Sequence, residues 1–431
     1  MVPELVHDRP AQVIGELERQ NAGLSPEWRS EKFARMSGSA FSFFRGSNHL
    51  YWYDVFRDWH FSLYGGIKDT QTWLLGDVHV YNYGAYGSHD AILRFGLDDF
   101  DDALVGDFQY DLWRLGTSLV LAMQQAGKKR KAISKALGAL SDTYLQMLAE
   151  SKSQVDWVVT LETGDGLLGE FLQKVSCKKS RIKMLEKWTT VDEAGGRRFQ
   201  RGHPKLEPLN AETSELLKQA LQGYQDTLDD DVPGHSHQHF NVKDVVRRIN
   251  AGTGSLGCDR YYALIEGCAE GDHDDVILDI KEQTEPAALV AMNAAELRRY
   301  HALYRHEGER HALAFKALAR HPDPYVGWLE IGDQVFSVRE RSPFKADFPV
   351  HKLEKTRQWQ EMSCNWAQIL AASHLRGALA LGSDNFADKV LHRAKDKEHF
   401  RTLFAEISLA YATCVQRDFK IFCRYLQQGT D

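Results

Sequence analysis

The run Leu97-Asp98-Asp99-Phe100-Asp101-Asp102-Ala103 constrains the fold of this chain more than any other segment. It sets four carboxylates within five residues, directly after the apolar, strand-like stretch Ile92 to Leu97. Like charges this close repel one another unless a cation or a set of hydrogen-bond donors compensates them. The run must therefore lie where distant parts of the chain, or a bound cation, can reach it. Shortly upstream stands Gly76-Asp77-Val78-His79-Val80-Tyr81-Asn82. An Asp and an Asn separated by four residues can share one loop. There the Asp orients and accepts the proton of an attacking hydroxyl, and the Asn offers a hard oxygen to Mg²⁺. On this reading Asp77 is the catalytic residue, and Asn82, Asp99 and Asp101 are metal ligands. An isolated Asp77–Asn82 pair reads more simply as a turn and a loop cap, and the acidic run is what shifts the balance. His79 either assists Asp77 at a phosphate or bonds the backbone of its own loop.

A second cluster lies far downstream. Gly252-Thr253-Gly254-Ser255-Leu256-Gly257 is a G-x-G-x-x-G loop. In dinucleotide-binding folds such a loop opens a helix. Here Val245 to Ile249 before it and Cys258 to Ile265 after it both read as strands. Strand, glycine loop, strand is the arrangement that covers nucleotide phosphates. Gly252, Gly254, Ser255 and Gly257 are thus nucleotide-binding candidates. The next strand-like run, Val276 to Glu282, carries Lys281, and an ammonium in an apolar strand is costly without an anion. A nucleotide phosphate is one such anion; pairing with Asp279 or Glu282 on an edge strand is the structural alternative. A helix Glu to hold this Lys is expected among Glu285, Glu296, Glu307 and Glu309.

Several other cations have two readings. Arg45, Arg339 and Arg341 each suit a phosphate, a substrate carboxylate or an ion pair. His374 and Arg376 late in an apolar helix suit a site or an interior hydrogen bond. His235, His237 and His239 follow Pro233-Gly234 and read as a solvated linker. The basic segment Lys178 to Arg201, with Gly195-Gly196, reads as a mobile loop. Long helices are expected over 355–381 and 397–428, and a hairpin around Gly332-Asp333.

At 431 residues the chain is long enough for two lobes. Its net charge of −7 gives no reason to expect nucleic acid or an anionic membrane as partner. The first twenty residues lack the basic and apolar regions of a secretory signal. The six cysteines show no C-x-x-C spacing, which favours reduced thiols and a cytoplasmic location.

The segment Asp99 to Leu112, preceded by a Gly-Asp-x-His-x-x-Asn loop, resembles the metal-binding and catalytic segments of aminoglycoside phosphotransferases and choline kinases. The chain as a whole is similar to the bacterial domain of unknown function 2252. The similarity lies in Ser42 to Gly46, Gly76 to Asn82, Asp98 to Asp101, Gly252 to Gly257 and Ile280 to Glu282. The resemblance implies Asp77 as base, Asn82 and Asp99 as metal ligands and Lys281 as the phosphate-binding Lys. It implies a protein-kinase-like, two-lobed α+β fold with circularly permuted order, since the catalytic motifs precede the nucleotide-holding ones. The expected division is 1–235 for the catalytic-loop part of a helical lobe, 236–341 for a small nucleotide-binding lobe, and 342–431 for helices completing the first. The expected activity is ATP- and Mg²⁺-dependent phosphotransfer to a small molecule, with a nucleotide-binding pseudoenzyme and a metal-dependent phosphohydrolase as alternatives.

Overall fold

The structure, a computed structural model, describes residues 8–56, 58, 60–87, 90, 92–150, 155–193, 195–229, 240–249, 257–267 and 273–428. The glycine-loop residues Gly252, Gly254 and Ser255 and the histidines 235, 237 and 239 lie outside them.

The fold is α+β with several antiparallel sheets. The strands in chain order are β1 (Gln71–Leu74), β2 (Tyr83–Tyr86), β3 (Arg94–Leu97), β4 (Leu104–Asp107), β5 (Val159–Thr160), β6 (Thr189–Val191) and β7 (Arg197–Phe199). They continue with β8 (Leu206–Pro208), β9 (Val242–Arg248), β10 (Arg260–Ile265), β11 (Val276–Glu282), β12 (Gly327–Ile331), β13 (Gln334–Glu340) and β14 (Ala346–Asp347). The largest sheet has six strands in the order β12-β13-β11-β10-β9-β8. The expected hairpin at Gly332-Asp333 is β12–β13, and Gly332 supplies the positive φ of its turn. β11 is central, so Lys281 is not on an edge strand.

Alternation along the strands sorts the sheet into two faces. Val276, Leu278 and Ile280 of β11 join Tyr261, Ala263, Phe336 and Val338 on one face, under Leu217, Leu221 and Tyr224 of the helix Ala211–Tyr224. Ile277, Tyr262, Leu264 and Val246 turn the other way, onto Met184, Leu185 and Trp188 of the helix Arg181–Trp188. Farther along the second face the apolar residues give way to Asp279, Lys281, Ser337 and Arg339, which line a cleft. The described part of the basic segment 178–201 forms a helix and the paired strands β6 and β7 rather than the expected loop. Apolar residues from 184 to 221 belong to the sheet's cores, although they precede the expected boundary at 236. Residues 288 to 318 contribute Leu289, Phe315 and Leu318 to the main helical core.

That main core is built on long helices. Thr356–Ala380 lies along Arg130–Ala149, and Lys397–Gln428 crosses Gln109–Gln125. Trp359 and Trp366 are almost wholly buried there. Helix starts follow their sequence signals. The Ser25 hydroxyl accepts from the Trp28 N–H, just before Pro26.

The 76–82 loop is fixed from beneath. Asp111, fully buried, accepts the N–H groups of Leu75 at 2.7 Å and Gly76 at 3.0 Å, and its other neighbour is His374, whose Nδ1 meets the Tyr144 hydroxyl. Asp107, just before the helix Gln109–Gln125, accepts from Gly66, Thr70 and the Gln109 N–H. Ser118 accepts the Val80 N–H, and Asn48 and Trp52 donate to the Gly76 carbonyl. Gly76 has φ +75, and a Cβ there would lie 2.0 Å from the Asp102 carbonyl oxygen. Only glycine lets the two loops meet so closely.

Asp111→Ala strands two buried N–H groups and should cost about 3 kcal/mol or more. The exposed Asp384→Ala should cost less than about 0.5 kcal/mol. Chemical denaturation of both variants checks this, and equal midpoints would remove Asp111 from the supporting framework.

Candidate active-site cleft

The structure disperses the acidic run onto separate partners, three of them satisfied. Asp98 meets Lys345 at 2.8 Å. Asp101 forms an ion pair with Lys281 and accepts from Gln283 at 3.1 Å. Asp102 accepts from Asn48 at 3.0 Å and from the Ala287 N–H at 2.7 Å. Arg310, fully buried, donates to the carbonyls of Asp101 at 2.7 Å and Ala103 at 2.6 Å and so braces the turn itself. Asp102 is met by neutral donors alone, and Asp99 has neither a cation nor a side-chain donor among the described residues. It stays exposed at the mouth of the cleft, where its carboxylate accepts only the long Asp101 N–H bond of 3.4 Å.

Charge in the cleft follows from this arrangement. Its crowded surroundings, then the neighbouring Asp101 carboxylate, raise Asp99 to about 6. Water in the open cleft screens part of that effect. Burial alone would raise Asp101 too, but Lys281 overrides it and holds Asp101 well below the usual carboxylate range. Burial works against the Lys281 ammonium, yet Asp101 and then Asp99 keep its pKa raised. His311, 3.7 Å from Asp101, is pushed by burial down to about 3 and is neutral at physiological pH.

Asp77 sits where the helix Gln109–Gln125 crosses beneath its loop. Arg114 of that helix is fully buried and donates to Asp77 Oδ1 through Nε at 2.8 Å and through a second, shorter bond. Its guanidinium lies over Phe44, 4.2 Å from the ring centre. A quarter of the Asp77 side chain remains open to the cleft. Burial raises its pKa to about 7 against the pull of Arg114, with Asp102 adding to the rise. Asn82 Nδ2 donates to the Asp77 carbonyl at 2.8 Å, which closes the loop and leaves the amide oxygen without a partner among the described residues. His79 is buried with its Nδ1 accepting the Tyr81 N–H at 3.2 Å and its ring edge-on to Phe41. Burial lowers its pKa well below the ordinary value. It staples the loop and does not line the cleft.

Two cavities meet at Arg45 and Asp99. One, of about 570 Å³, is lined by Asn82, Asp99, Asp101, Lys281, Ser337 and Arg339 among others. The second, of about 260 Å³, is lined by Asp77, Asp99, Asp102, Lys32, Asn48 and Glu285 among others. Gly257, the described end of the glycine loop, has φ +84. None of the four expected glutamates is placed as Lys281's partner here: Glu307 binds Arg310, Glu309 binds Arg305, Glu296 caps its own helix and Glu285 lines the second cavity. Of the two expected structural partners of Lys281, Asp279 is taken by Arg260, and Glu282 accepts from the Asp259 N–H and from Gln334. Arg376 donates to the carbonyls of Leu318 and Val155, an interior role.

Sequence reasoning missed Arg114, Arg310, Lys345 and the Arg260–Asp279 pair. Arg114 and Arg310 had a readable signal, since each interrupts an apolar helical stretch and a cation there needs acceptors. Lys345 and Arg260 had none.

Among the described residues no three His, Cys, Asp or Glu side chains gather as a metal cage. Asp99 with the Asn82 amide oxygen is the smaller donor set that suffices for Mg²⁺ when phosphates and water complete its shell. Among the described residues no helix is long and apolar enough to cross a membrane.

An α+β protein with a carboxylate-rich cleft between a six-stranded sheet and a helical body is thus defined. Over residues 24–425 its sequence matches the family described as "Uncharacterized protein conserved in bacteria (DUF2252)", and the chain belongs to that family. No curated protein and no solved structure matches it.

The folded-state pKa of Asp99, about 6 against an ordinary 3.8, means that the fold favours the protonated form. Wild type should lose stability as pH rises from about 4 through 6, and be free of this cost below that window. In metal-free buffer Asp99→Asn should therefore melt higher than wild type at pH 8, with the gap closing below about pH 4. A lower melting temperature for the variant at pH 8 would mean that Asp99 has a stabilising partner.

Proposed function

We propose that this chain is an ATP- and Mg²⁺-dependent phosphotransferase, acting on a small-molecule acceptor through a kinase-like two-lobed fold in permuted order. One observation carries the reading. Asp77, Asn82, Asp99 and Lys281, drawn from two distant stretches in reversed order, border two cavities that share Asp99. The placement of Lys281 in β11, next to the β9–β10 strands that flank residues 252–257, is a further support.

In this reading Lys281 takes the nucleotide phosphates, a role that an ammonium buried in a strand suits. Asp99 and the Asn82 amide oxygen would hold Mg²⁺, joined by Asp101 once Lys281 exchanges that carboxylate for a phosphate. The metal would supply charge neutralisation at the phosphate oxygens. Asp77, held by Arg114 through one oxygen, keeps the other for the acceptor hydroxyl. A carboxylate with a pKa of about 7 is well poised to take a proton near neutral pH. The smaller cavity, which Asp77 lines, is the acceptor side. The cytoplasm, where ATP is held, is the compartment this activity requires.

Turnover of Mg-ATP against a metabolite panel, with binding followed by calorimetry, separates the roles. Asp77→Asn should lower kcat by about 10²–10⁴-fold with nucleotide affinity little changed. Lys281→Ala should weaken nucleotide binding itself. Wild type that binds Mg-ATP, transfers nothing and matches Asp77→Asn in every assay would replace the enzyme by a nucleotide-binding protein. Phosphate release without any acceptor would make it a hydrolase.

A further inference from the structure

Beyond Lys281 the cleft continues into a third cavity, of about 210 Å³, which shares Asp98, Arg248, Arg260, Asp279, Arg339 and Lys345 with the larger one. Its charges do not balance. Arg260 is spent on Asp279, which it grips through two bonds, and Lys345 is spent on Asp98. Glu340 is paired with Arg181, and Arg94 with Asp90. Asp323 accepts the N–H groups of Glu340 and Tyr325. Arg248, Arg339 and Arg341 remain, and among the described residues no carboxylate lies within ion-pair distance of any of the three.

Two of these guanidiniums share an aromatic platform. Arg341 lies over Trp188 at 4.6 Å and Tyr262 at 6.0 Å from the ring centres. Arg248 lies over the same rings at 5.6 Å and 6.0 Å. Stacking of this kind fixes the plane of a guanidinium and leaves its N–H edge free. Among the described residues the Nε atoms of both are buried without a hydrogen-bond partner, and Arg248 spends one Nη on a long bond of 3.4 Å to the Lys205 carbonyl. Buried donors left unmet are costly, and three guanidiniums on one wall repel one another. Arg339, on β13 two residues before Arg341, donates among the described residues only to the Asp98 carbonyl, at 3.2 Å. The neighbourhood registers this excess. Arg260 foremost, with Arg339 and Arg341 behind it, overcomes the effect of burial on Asp279 and holds it near 2. The Lys179 ammonium is lowered by burial and then by Lys187 and Arg341.

We propose that Arg248, Arg339 and Arg341 form an anion subsite that takes a dianionic phosphate group, separate from the Lys281–Asp99 end of the cleft. Planar guanidiniums presenting free edges suit a phosphate, which accepts several N–H bonds at once. The inference extends the phosphotransferase reading without depending on it. Under that reading, one of the two substrates carries a phosphate remote from the transferred group. Without it, the subsite stands as a phosphate-binding site.

The test uses the full chain, with inorganic phosphate as probe in low-salt, nucleotide-free buffer, followed by calorimetry. Wild type should bind phosphate. Arg341→Gln and Arg248→Gln should each weaken it by about 10–100-fold, the loss expected for a charged hydrogen bond. Lys281→Ala should leave it within about twofold. Thermal melts confirm that each variant is folded, and the two Arg substitutions are independent checks on one another. Absence of phosphate binding to wild type, or phosphate binding that both Arg variants retain, overturns the subsite. So does phosphate binding abolished by Lys281→Ala alone, which would place the anion at the other end of the cleft. Mg-ATP binding in parallel separates the two readings. Phosphate bound without Mg-ATP leaves the subsite and removes the kinase-like function; Mg-ATP bound normally by folded Arg variants, with phosphate affinity unmoved, does the reverse.

Discussion

Everything around the cleft depends on relieving the repulsion among Asp98, Asp99, Asp101 and Asp102. The relief is delivered from afar. Lys281 comes from the middle of the six-stranded sheet, Lys345 from the chain that leaves it, Asn48 from an N-terminal helix and Arg310 from the helix Glu307–Leu318. Four remote segments are thereby drawn to one turn. Removing one partner from such a network leaves the other charge exposed to a poor environment, which is why a network of this kind specifies geometry more than it adds stability. The dispersal also creates an asymmetry. Three carboxylates are satisfied within the protein and one, Asp99, is not.

That asymmetry links fold to chemistry. A carboxylate raised by its neighbours and open to a cleft is ready for a cation. A second carboxylate, Asp77, is tuned by a different route, through burial opposed by one buried arginine. Two aspartates in adjoining cavities thus have distinct environments, which is how one site separates a ligand role from a base role. The Lys281–Asp101 pair lies between the sheet and the acidic turn, so anything that competes for Lys281 acts on the contact between the two.

The same logic distinguishes the two ends of the cleft. At the Lys281 end, positive and negative groups are nearly matched and a ligand must compete with Asp101. At the far end Arg248, Arg339 and Arg341 have aromatic faces to lie on, and among the described residues no carboxylate to pair with. The platform exists because alternation on β10 sends Tyr262 to the face where the helix Arg181–Trp188 brings Trp188. The basic segment 178–201 thus supplies, through Trp188, the ring on which Arg248 and Arg341 lie.

By itself the sequence determined the local parts. The alternating and apolar runs marked β3, β9 to β11 and the β12–β13 hairpin, and the apolar periodicities marked the two long C-terminal helices, because these signals reside in neighbouring residues. It also determined that the acidic run needed compensation, since repulsion between adjacent carboxylates is independent of the fold. Only the tertiary structure decided who compensates whom. Lys281 pairs with Asp101 and not with a helix Glu or with Asp279, because β11 is central and its second face looks onto the acidic turn. His79, a candidate by spacing, is turned into the core, whereas Asp77 two residues earlier stays open to the cleft. Arg114 and the stacked pair Arg248 and Arg341 acquire meaning only through residues distant in sequence. A spacing can list the donors and acceptors a chain possesses; which of them remain unmet is settled when the chain folds back on itself.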